Sequence, residues 1–388
     1  MSLSLSAQTT KLNNMETQLK YMPVFRSRQE EQKILTSHDF GDKIYPLLEI
    51  VKEIDRKQVT MRKGKKVIPK TITTFESAYQ KIIGKVKCKK IFIDLPVHMA
   101  AVKGVDKDVL SFLQAVVFDR IKRTEYMIKL KSPSNNVIPI IFTFSQRTSE
   151  IDSIILQEAD LRLHFGQIGF RTIPKTLNAD LLQIAKCARK NDFLIVDLDG
   201  FSADPNDIEL VGILAKLKEW KKCHLVILRP AMGNEITNIG LNHGNTVNGA
   251  DNSLLTNYKM LHGNSFGDYA GIKKDKVAEG GSVSPGFIFY DALENEYYGY
   301  KGNPQPTIPL KLQEYSNTIV PAVLGSGSAK KMLANPLGYL DSANAGWQTL
   351  LDIKKNPDSG RSAAKFKGIS MSHYLHCIHK KIANGEIS

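Results

Sequence analysis

The stretch SFGDYA, residues 265–270, is typical of a buried strand that ends at the rim of a sheet. Gly263 and Gly271 flank this stretch and would let the backbone leave the sheet without steric conflict. Asp268 would then present a carboxylate at the rim, which is where α/β barrels carry their catalytic groups. An equally open alternative is that Asp268 caps a following turn and Tyr269 lies in the core.

Apolar strand-like runs recur through the chain, and each interval between them has room for an amphipathic helix. This alternation indicates a parallel sheet that is buried on both faces. If SFGDYA is the seventh strand and GFIFYD (286–291) the eighth, the chain has the eight strands that a closed (β/α)8 barrel requires. An open doubly wound sheet competes, but no Gly-rich phosphate loop follows any of the strands. The other six predicted strands are KIYPLLEIV (43–51), KIFIDLP (90–96), VIPIIFTF (137–144), ADLRLHF (159–165), FLIVDL (193–198) and CHLVILRP (223–230).

The predicted fold class is therefore α/β, a (β/α)8 TIM-type barrel with a helical C-terminal extension. Residues 1–20 are polar and are predicted to form a flexible N-terminal arm. Residues 21–303 are assigned to the barrel, with YMPVFR (21–26) as an extended segment ahead of its first strand. Residues 304–388 are assigned to an extension that packs on the barrel.

Composition narrows the class of protein. The chain has 388 residues, of which 42% are hydrophobic, so it can bury a large core. No apolar run approaches the roughly 20 residues of a membrane span, and the start lacks the order of a signal peptide, so we expect a cytoplasmic location. The 4 cysteines form no CxxC pair, which argues against a zinc ribbon or a disulfide framework.

The charge balance points to a polyanionic partner. Lys and Arg number 53 against 39 Asp and Glu, which gives a net charge of +14. We expect nucleic acid or a nucleotide as the partner, with an anionic membrane surface as the second choice. The alternative is that the excess of basic residues only keeps the protein soluble.

The segment RKQVTMRKGKKVIPK, residues 56–70, concentrates this charge, because it has seven basic residues and no acid. Its central Lys-Gly-Lys predicts a hairpin turn. In a barrel this segment would be the first βα loop, which overhangs the catalytic face. Arg62, Lys63, Lys65 and Lys66 are therefore candidate nucleic-acid-binding residues.

Polar residues at the C-terminal ends of barrel strands converge although they are far apart in sequence. Acids that share one mouth with arginines could hold a divalent cation, while the guanidinium groups bind a phosphate. We expect Asp94, Asp197 and Asp268 as ligands of Mg²⁺ or Mn²⁺, and Arg162 and Arg229 as phosphate-binding residues. The alternative is a ring of structural ion pairs around the mouth.

The histidines have no recognised catalytic or metal-binding spacing, since there is no HExxH and no GxSxG motif. His373, His376 and His379 recur every three residues near the end of the chain, which spreads them over a broad stripe of a helix. The segment GISMSHYL, 368–375, could nevertheless return to the barrel mouth and bring His373 there.

Several short motifs together resemble the beta-protein family, which is named for a protein of T-even bacteriophages and is common in bacterial mobile and defence-associated loci. A related bacterial family of similar length shares the start of the chain and the Gly/Ser-Asp-Tyr of the SFGDYA strand. The motifs are YMPVFRSRQEEQKIL (21–35), KIYPLLEI (43–50), FGDYA (266–270), Gly346-Trp347, and GIS followed by SHY (368–374).

The resemblance implies a set of site residues. Relatives carry acids at the ends of the first, second and fifth strands, an Arg in the fourth, a Gly-Asp-Tyr motif, and closing histidines. This chain departs from them at Phe289-Tyr290 and Ser372-His373, where relatives often have Arg-Tyr and paired histidines. The family has no settled activity, so the resemblance implies fold and setting more than chemistry. The matching positions are Glu49, Asp94, Arg162, Asp197, Asp268, Tyr269 and His373.

The resulting hypothesis is a nucleic-acid-directed protein of a phage or anti-phage defence module, with metal-assisted phosphodiester or nucleotide hydrolysis at the barrel mouth. In this version Glu49, Asp268, Tyr269 and His373 are the catalytic residues. The alternative is a non-catalytic sensor or adaptor that binds a ligand, nucleic acid or a partner protein encoded in the same operon.

Overall fold

The structure is a computed structural model that describes residues 18–53, 73–96, 107–131, 136–142, 150–274 and 284–388, and the backbone alone of 60–62 and 65–67. Most of the predicted N-terminal arm thus lies outside the described residues. The strands are β1 (Tyr21–Arg26), β2 (Leu47–Glu49), β3 (Thr60–Arg62), β4 (Lys65–Val67), β5 (Ile91–Asp94), β6 (Val137–Phe142), β7 (Gly169–Thr172), β8 (Phe193–Asp197), β9 (His224–Leu228), β10 (Asn245–Thr246), β11 (Ser265–Asp268), β12 (Gly286–Asp291) and β13 (Glu296–Lys301).

Eight of these strands form a closed parallel barrel, in the order β1, β2, β5, β6, β7, β8, β9 and β11, and β11 pairs back to β1. The predicted (β/α)8 TIM-type barrel is therefore confirmed. No helix in the described ranges is long and apolar enough to cross a membrane. The helices are α1 (Gln29–Ser37), α2 (Phe75–Ile83), α3 (Lys107–Phe118), α4 (Arg120–Lys129), α5 (Ser153–Arg162), α6 (Leu177–Cys187), α7 (Ile208–Leu214), α8 (Leu254–Asn257), α9 (Ile308–Glu314), α10 (Val320–Gly325), α11 (Gly327–Ala334), α12 (Ala345–Lys355) and α13 (Ala363–Ala383).

Two of the predicted barrel strands are wrong, although the count of eight is right. The run at 159–165 imitates a strand by alternation, but its first four residues are the last residues of α5, whose buried Ile154 and Leu161 lie two turns apart on one helical face. The run at 286–291 is β12, which pairs antiparallel with β13 in a separate three-stranded sheet with β10. Their places in the barrel are taken by β1 and β7.

The barrel interior is apolar in its middle layer. Phe92 and Phe193 pack edge to face inside it, with ring centroids 4.9 Å apart. Gly169 makes room for them, since a Cβ there would lie 3.2 Å from Ile140 and 3.5 Å from Phe92. Because inward positions recur every second residue, the next inward layer lies two residues further along each strand, at the C-terminal end of the barrel.

The basic segment forms the predicted hairpin. β3 and β4 pair antiparallel, with Arg62 opposite Lys65 and Met61 opposite Lys66. The hairpin lies in the connection from β2 to α2, which leaves the second barrel strand and not the first. Lys63 lies outside the described residues, as do the side chains of Arg62, Lys65 and Lys66.

The Gly-Trp and GIS…SHY motifs hold the extension together. A Cβ at Gly346 would lie 2.5 Å from the Ile369 carbonyl oxygen, so glycine allows α12 to approach the backbone of α13. Ser370 on α13 donates to the Ile288 carbonyl oxygen at 2.8 Å, which joins the helix to β12. These motifs therefore serve packing of the extension on the three-stranded sheet.

Candidate functional site

Arg171 lies at the centre of a buried ion-pair network at the C-terminal end of the barrel. Its Nη1 donates to Glu49 Oε1 at 2.9 Å and to Asp94 Oδ2 at 2.6 Å, and its Nη2 donates to Asp197 Oδ2 at 2.6 Å. All four residues are at most 1% exposed. The fixed fork of a guanidinium suits it to bind several carboxylates at once.

Two more cations complete this network. Arg26 Nε lies 2.9 Å from Glu49 Oε2. Lys274 Nζ lies 3.6 Å from Asp197 Oδ2 and 3.1 Å from Asp199 Oδ1, an exposed carboxylate at the edge of the network. The three buried acids are thus matched by three cations, which offsets the free energy needed to remove each charge from water.

Tyr269 enters the same network from the end of β11. Its hydroxyl donates to Glu49 Oε1 at 3.0 Å and accepts from Arg171 Nη2 at 3.2 Å. Arg26 and Lys274 lie 5.6 and 5.5 Å from the centroid of its ring, within the range of cation–π attraction. Burial and the Glu49 carboxylate raise the pKa of Tyr269, so its phenol stays protonated.

Asp94 differs from the other acids because only one of its oxygens has a partner in the described part of the chain. Its Oδ1 is buried without a hydrogen bond there, and so is the Nε of Arg171. Burial raises the pKa of Asp94 to about 6, against the lowering effect of Arg171. A buried acceptor and a buried donor without partners require an explanation, and a carboxylate with a raised pKa is typical of a functional site.

We expect the Asp94 carboxyl to titrate near pH 6. Its folded-state pKa of about 6 lies above the ordinary 3.8, so the folded protein binds this proton more tightly than the unfolded chain. The resulting stabilisation is complete below pH 3.8 and is lost as pH rises through 6. Carbon-13 NMR of the carboxyl groups, as a difference between wild type and Asp94→Asn, measures the titration directly.

The same titration predicts a pH-dependent difference in stability. From pH 7 to pH 4, the free energy of unfolding of the wild type should rise relative to that of Asp94→Asn by about 1–3 kcal/mol. The difference between the free energies of unfolding of the two proteins is the useful quantity, because titration of the buried histidines changes the pH dependence of both proteins alike. A constant difference across this range would contradict the raised pKa.

Asp268 lies on the outside of the barrel. Adjacent strand positions point to opposite faces, and Tyr269 already points inward. The Asp268 carboxylate accepts short hydrogen bonds from the hydroxyls of Tyr21 and Tyr374, and further bonds from two backbone N–H groups just after the strand. Burial nevertheless raises the pKa of Asp268 to about 6. This carboxylate connects β1, β11 and α13.

The expected metal ligands do not form one set. Asp94 and Asp197 share the Arg171 guanidinium, which takes the position between the carboxylates where the cation was expected, while Asp268 faces outward. Among the described residues, no group of three or more His, Cys, Asp or Glu side chains is arranged to hold a metal ion. Mg²⁺ or Mn²⁺ binding stays a prediction, and no chemistry is derived through it.

Arg162 lies at the wrong end of the barrel for the expected role. It ends α5 and binds Asp192 at 2.9 and 2.6 Å and Glu158 at 2.6 Å. Asp192 directly precedes β8, so this ion pair lies at the N-terminal end, opposite the network. Arg171 on β7 is the arginine that lies in the barrel strand between β6 and β8, where the run at 159–165 was expected.

Arg229 follows β9 directly, at the same end as the network, but it binds other groups. Its Nη1 lies 2.8 Å from Asp251 Oδ2, and its Nε donates to the Phe201 carbonyl oxygen at 2.7 Å. It therefore joins two of the loops that follow barrel strands. A phosphate-binding role for Arg229 would have to compete with these bonds.

His373 lies in the extension. Its Nε2 is 2.7 Å from the Tyr290 carbonyl oxygen and must donate to it, while its Nδ1 accepts from the Asn344 side-chain amide at 2.8 Å. Its ring stacks on Phe289 with centroids 4.4 Å apart. Burial lowers the pKa of His373 to about 4, so the imidazole is neutral. These contacts attach α13 to β12 and do not reach the network at the mouth.

Sequence reasoning missed the cations of the network and the tyrosines around Asp268. A detectable signal existed for Arg171, because a single arginine inside the apolar run QIGFRTIP (167–174) is typical of a buried ion pair. The tyrosines gave no such signal, since Tyr21 and Tyr374 lie far apart in sequence. The missed residues are Tyr21, Arg26, Arg171, Lys274 and Tyr374.

Comparison with known proteins agrees with this architecture. The family model described as Beta protein matches residues 21–379, which include all eight barrel strands and most of α13. Searches of curated proteins and of solved structures give no match. Because the family model covers most of the chain, this chain belongs to the beta-protein family.

Proposed function

We propose that this chain is a nucleic-acid-directed protein of a phage or anti-phage module, and that Asp94 performs acid–base chemistry on a phosphodiester or nucleotide at the barrel mouth. The observation that carries the proposal is the buried Asp94 carboxylate, whose Oδ1 has no hydrogen-bond partner among the described residues and whose pKa is raised to about 6. Its position also supports the proposal, because barrel enzymes carry their active sites at this end. The setting rests on the family resemblance.

Asp94 Oδ1 and Arg171 Nε, which have no partner in the described part of the chain, suggest how the site would act. Near pH 7 most Asp94 side chains are ionised, and Oδ1 would accept a proton from a water that attacks the phosphorus. Arg171 Nε would donate a hydrogen bond to a phosphoryl oxygen and stabilise its growing charge. The displaced oxygen would take its proton from solvent.

The charge distribution supports a nucleic-acid substrate. The chain carries a net charge of +14, and seven cations without an acid lie in residues 56–70. This segment follows β2, whose last residue is Glu49 of the network. Cations at the entrance of a site raise the local concentration of an anionic substrate and speed its association.

The test of catalysis is turnover of labelled single- and double-stranded oligonucleotides and of nucleoside triphosphates, with Mg²⁺, with Mn²⁺ and with EDTA. We expect Asp94→Asn to reduce turnover by at least about a hundredfold, as for the loss of a general base. Asp352→Asn is the matched control, since it makes the same chemical change at an exposed position of α12. Absence of turnover by the wild type in every condition would contradict catalysis.

A second candidate is a non-catalytic sensor or adaptor. The observation in its favour is that the three buried acids of the network are matched by three cations, as in a structural core. The two candidates differ in one result. A sensor would bind a nucleic acid or partner protein without turnover, and Asp94→Asn would leave that binding unchanged.

Binding of nucleic acid should depend on the hairpin and on salt. Replacement of its four central cations by serine should flatten the slope of log K against log salt by about 3.6, because each phosphate contact contributes about 0.9. Fluorescence anisotropy at several salt concentrations measures the slope. An equal loss in a control that removes four exposed lysines just before β9, at the other end of the barrel, would contradict a specific role. The substitutions are at Arg62, Lys63, Lys65 and Lys66, and in the control at Lys216, Lys218, Lys221 and Lys222.

A further inference from the structure

The face of the barrel opposite the mouth carries exposed cations around most of its circumference. All eight barrel strands are parallel, so the connections that lead into them lie together at the N-terminal end of the barrel. The connections into β2, β5, β6, β8, β9 and β11, with the helix ends that precede them, all contribute to this basic face. Its exposed cations are Lys43, Lys85, Lys87, Lys129, Lys131, Arg189, Lys190, Lys218, Lys221, Lys222 and Lys259.

Few acids balance the cations of the basic face. The exposed acids in the same connections are Asp39, Asp42 and Glu219. Asp192 also lies at this end of the barrel, but it is buried and already pairs with Arg162. The basic face therefore has an excess of positive charge, which attracts a partner that presents many negative charges at once.

Two large apolar side chains are exposed at the same end of the barrel. Leu163 directly follows α5 in the connection into β7 and is 81% exposed. Met260 lies next to Lys259 in the connection into β11 and is 57% exposed. Because β8 and β9 separate β7 from β11, the two side chains lie at well-separated points of the basic face. Apolar side chains among cations are typical of proteins that lie on a membrane, where charge and insertion each contribute to binding.

The arrangement and the composition of the basic face favour a lipid surface over a nucleic acid. Cations spread around the end of a barrel can contact a flat anionic layer together, whereas nucleic acid is bound by a basic patch or stripe that follows its backbone. All but one of the exposed cations are lysines, while arginine is the residue that suits bidentate contacts to nucleic-acid phosphates. Exposed Leu163 and Met260 add nothing to phosphate contacts, but they can bury apolar area between lipids.

We propose that the basic face binds the surface of a membrane that contains anionic lipids. Its lysines attract the layer of headgroups, while Leu163 and Met260 insert at the boundary between headgroups and acyl chains. In this orientation the barrel mouth and the hairpin of β3 and β4 point away from the membrane, because they lie at the opposite end of the barrel. The surface goes beyond the proposed function and does not depend on chemistry at Asp94.

The test is co-sedimentation of the full chain with vesicles of phosphatidylcholine, alone or with about 30% phosphatidylserine. We expect binding to the anionic vesicles only, and weaker binding as salt is added, because salt screens exposed charges. Serine at four cations of the basic face should weaken binding at least about tenfold, and serine at four exposed lysines of α11 and α12 should not. Equal binding to both kinds of vesicle, or an equal loss in both variants, would overturn the proposal. The substitutions are at Arg189, Lys190, Lys221 and Lys222, and in the control at Lys330, Lys331, Lys354 and Lys355.

Two further measurements separate a membrane from the other polyanionic partner. The double variant Leu163→Ser and Met260→Ser should weaken binding to the anionic vesicles at least about tenfold, because it removes the inserted apolar area. Ile208→Ser is the control, since Ile208 is 88% exposed but begins α7 at the mouth end of the barrel. Undiminished binding by the double variant would contradict insertion. If the variant with four serines on the basic face binds vesicles like the wild type but loses affinity for oligonucleotides, the face binds nucleic acid and the proposal is wrong.

Discussion

Arg171→Met should lower the free energy of unfolding by about 3–5 kcal/mol at pH 8, or prevent folding altogether. The substitution removes the cation that binds Glu49, Asp94 and Asp197, and each of these acids is fully buried. Uncompensated carboxylates in such a place are far more costly than the loss of an ordinary hydrogen bond. Urea-induced unfolding, followed by circular dichroism, measures the change.

Two comparisons separate this effect from a general loss of packing. The destabilisation should decrease as pH falls below 6, since protonation of Asp94 removes one of the stranded charges. Arg361→Met, which breaks a half-exposed pair with Asp358, should cost less than about 1 kcal/mol. A pH-independent loss, or an equal loss at Arg361, would contradict a network centred on Arg171.

The acids of the network could be predicted from the sequence because each ends an apolar run. Glu49, Asp94 and Asp197 are the last residues of β2, β5 and β8, where an interior strand reaches the polar end of a barrel. The central cation could not be assigned in the same way. β7 has four residues, Gly-Phe-Arg-Thr, and its inward glycine and arginine hide the apolar pattern of a strand.

The misplaced strand at 159–165 has a physical cause that applies beyond this chain. Apolar residues at 161, 163 and 165 alternate as in a strand, yet Leu161 is buried within the helix and Leu163, directly after the helix end, is 81% exposed. A run of seven residues is too short for periodicity to separate the two structures. Because of this error, Arg162 was predicted as a site residue and Arg171 was not.

The Gly-Asp-Tyr motif shows that the sequence does not decide which side chain at the end of a strand faces the barrel interior. Sequence reasoning brought both Asp268 and Tyr269 to the mouth, but neighbouring positions on a strand must face opposite sides. Which one faces inward depends on the register of β11 against β1 and β9, where Gly267 pairs with Met22 and Leu228. Register is set by contacts that are distant in sequence, so the sequence alone left the choice open.

Asp268→Asn should lower the free energy of unfolding by about 2–4 kcal/mol. The substitution removes a buried charge and replaces one of its two hydrogen-bond-accepting oxygens with an NH₂ group that cannot accept. The sequence offered two readings: a catalytic Asp268, whose asparagine variant is folded and inactive, or a buried Asp268 paired with Arg162 or Arg229. The structure supports a buried role, with Tyr21 and Tyr374 as the partners. Thermal melting, with hydrogen exchange of α13, measures the change.

The matched comparison for this prediction is Tyr269→Phe. This change removes the inward hydroxyl that bonds to Glu49 and Arg171, and it leaves the hydrogen bonds of Asp268 intact. We expect Asp268→Asn to increase hydrogen exchange in α13, since the carboxylate accepts a hydrogen bond from Tyr374 and so joins this helix to β1 and β11. Tyr269→Phe should leave exchange in α13 unchanged. An Asp268→Asn protein that melts at the same temperature as the wild type and yet loses all activity would contradict the structural role and support a catalytic one.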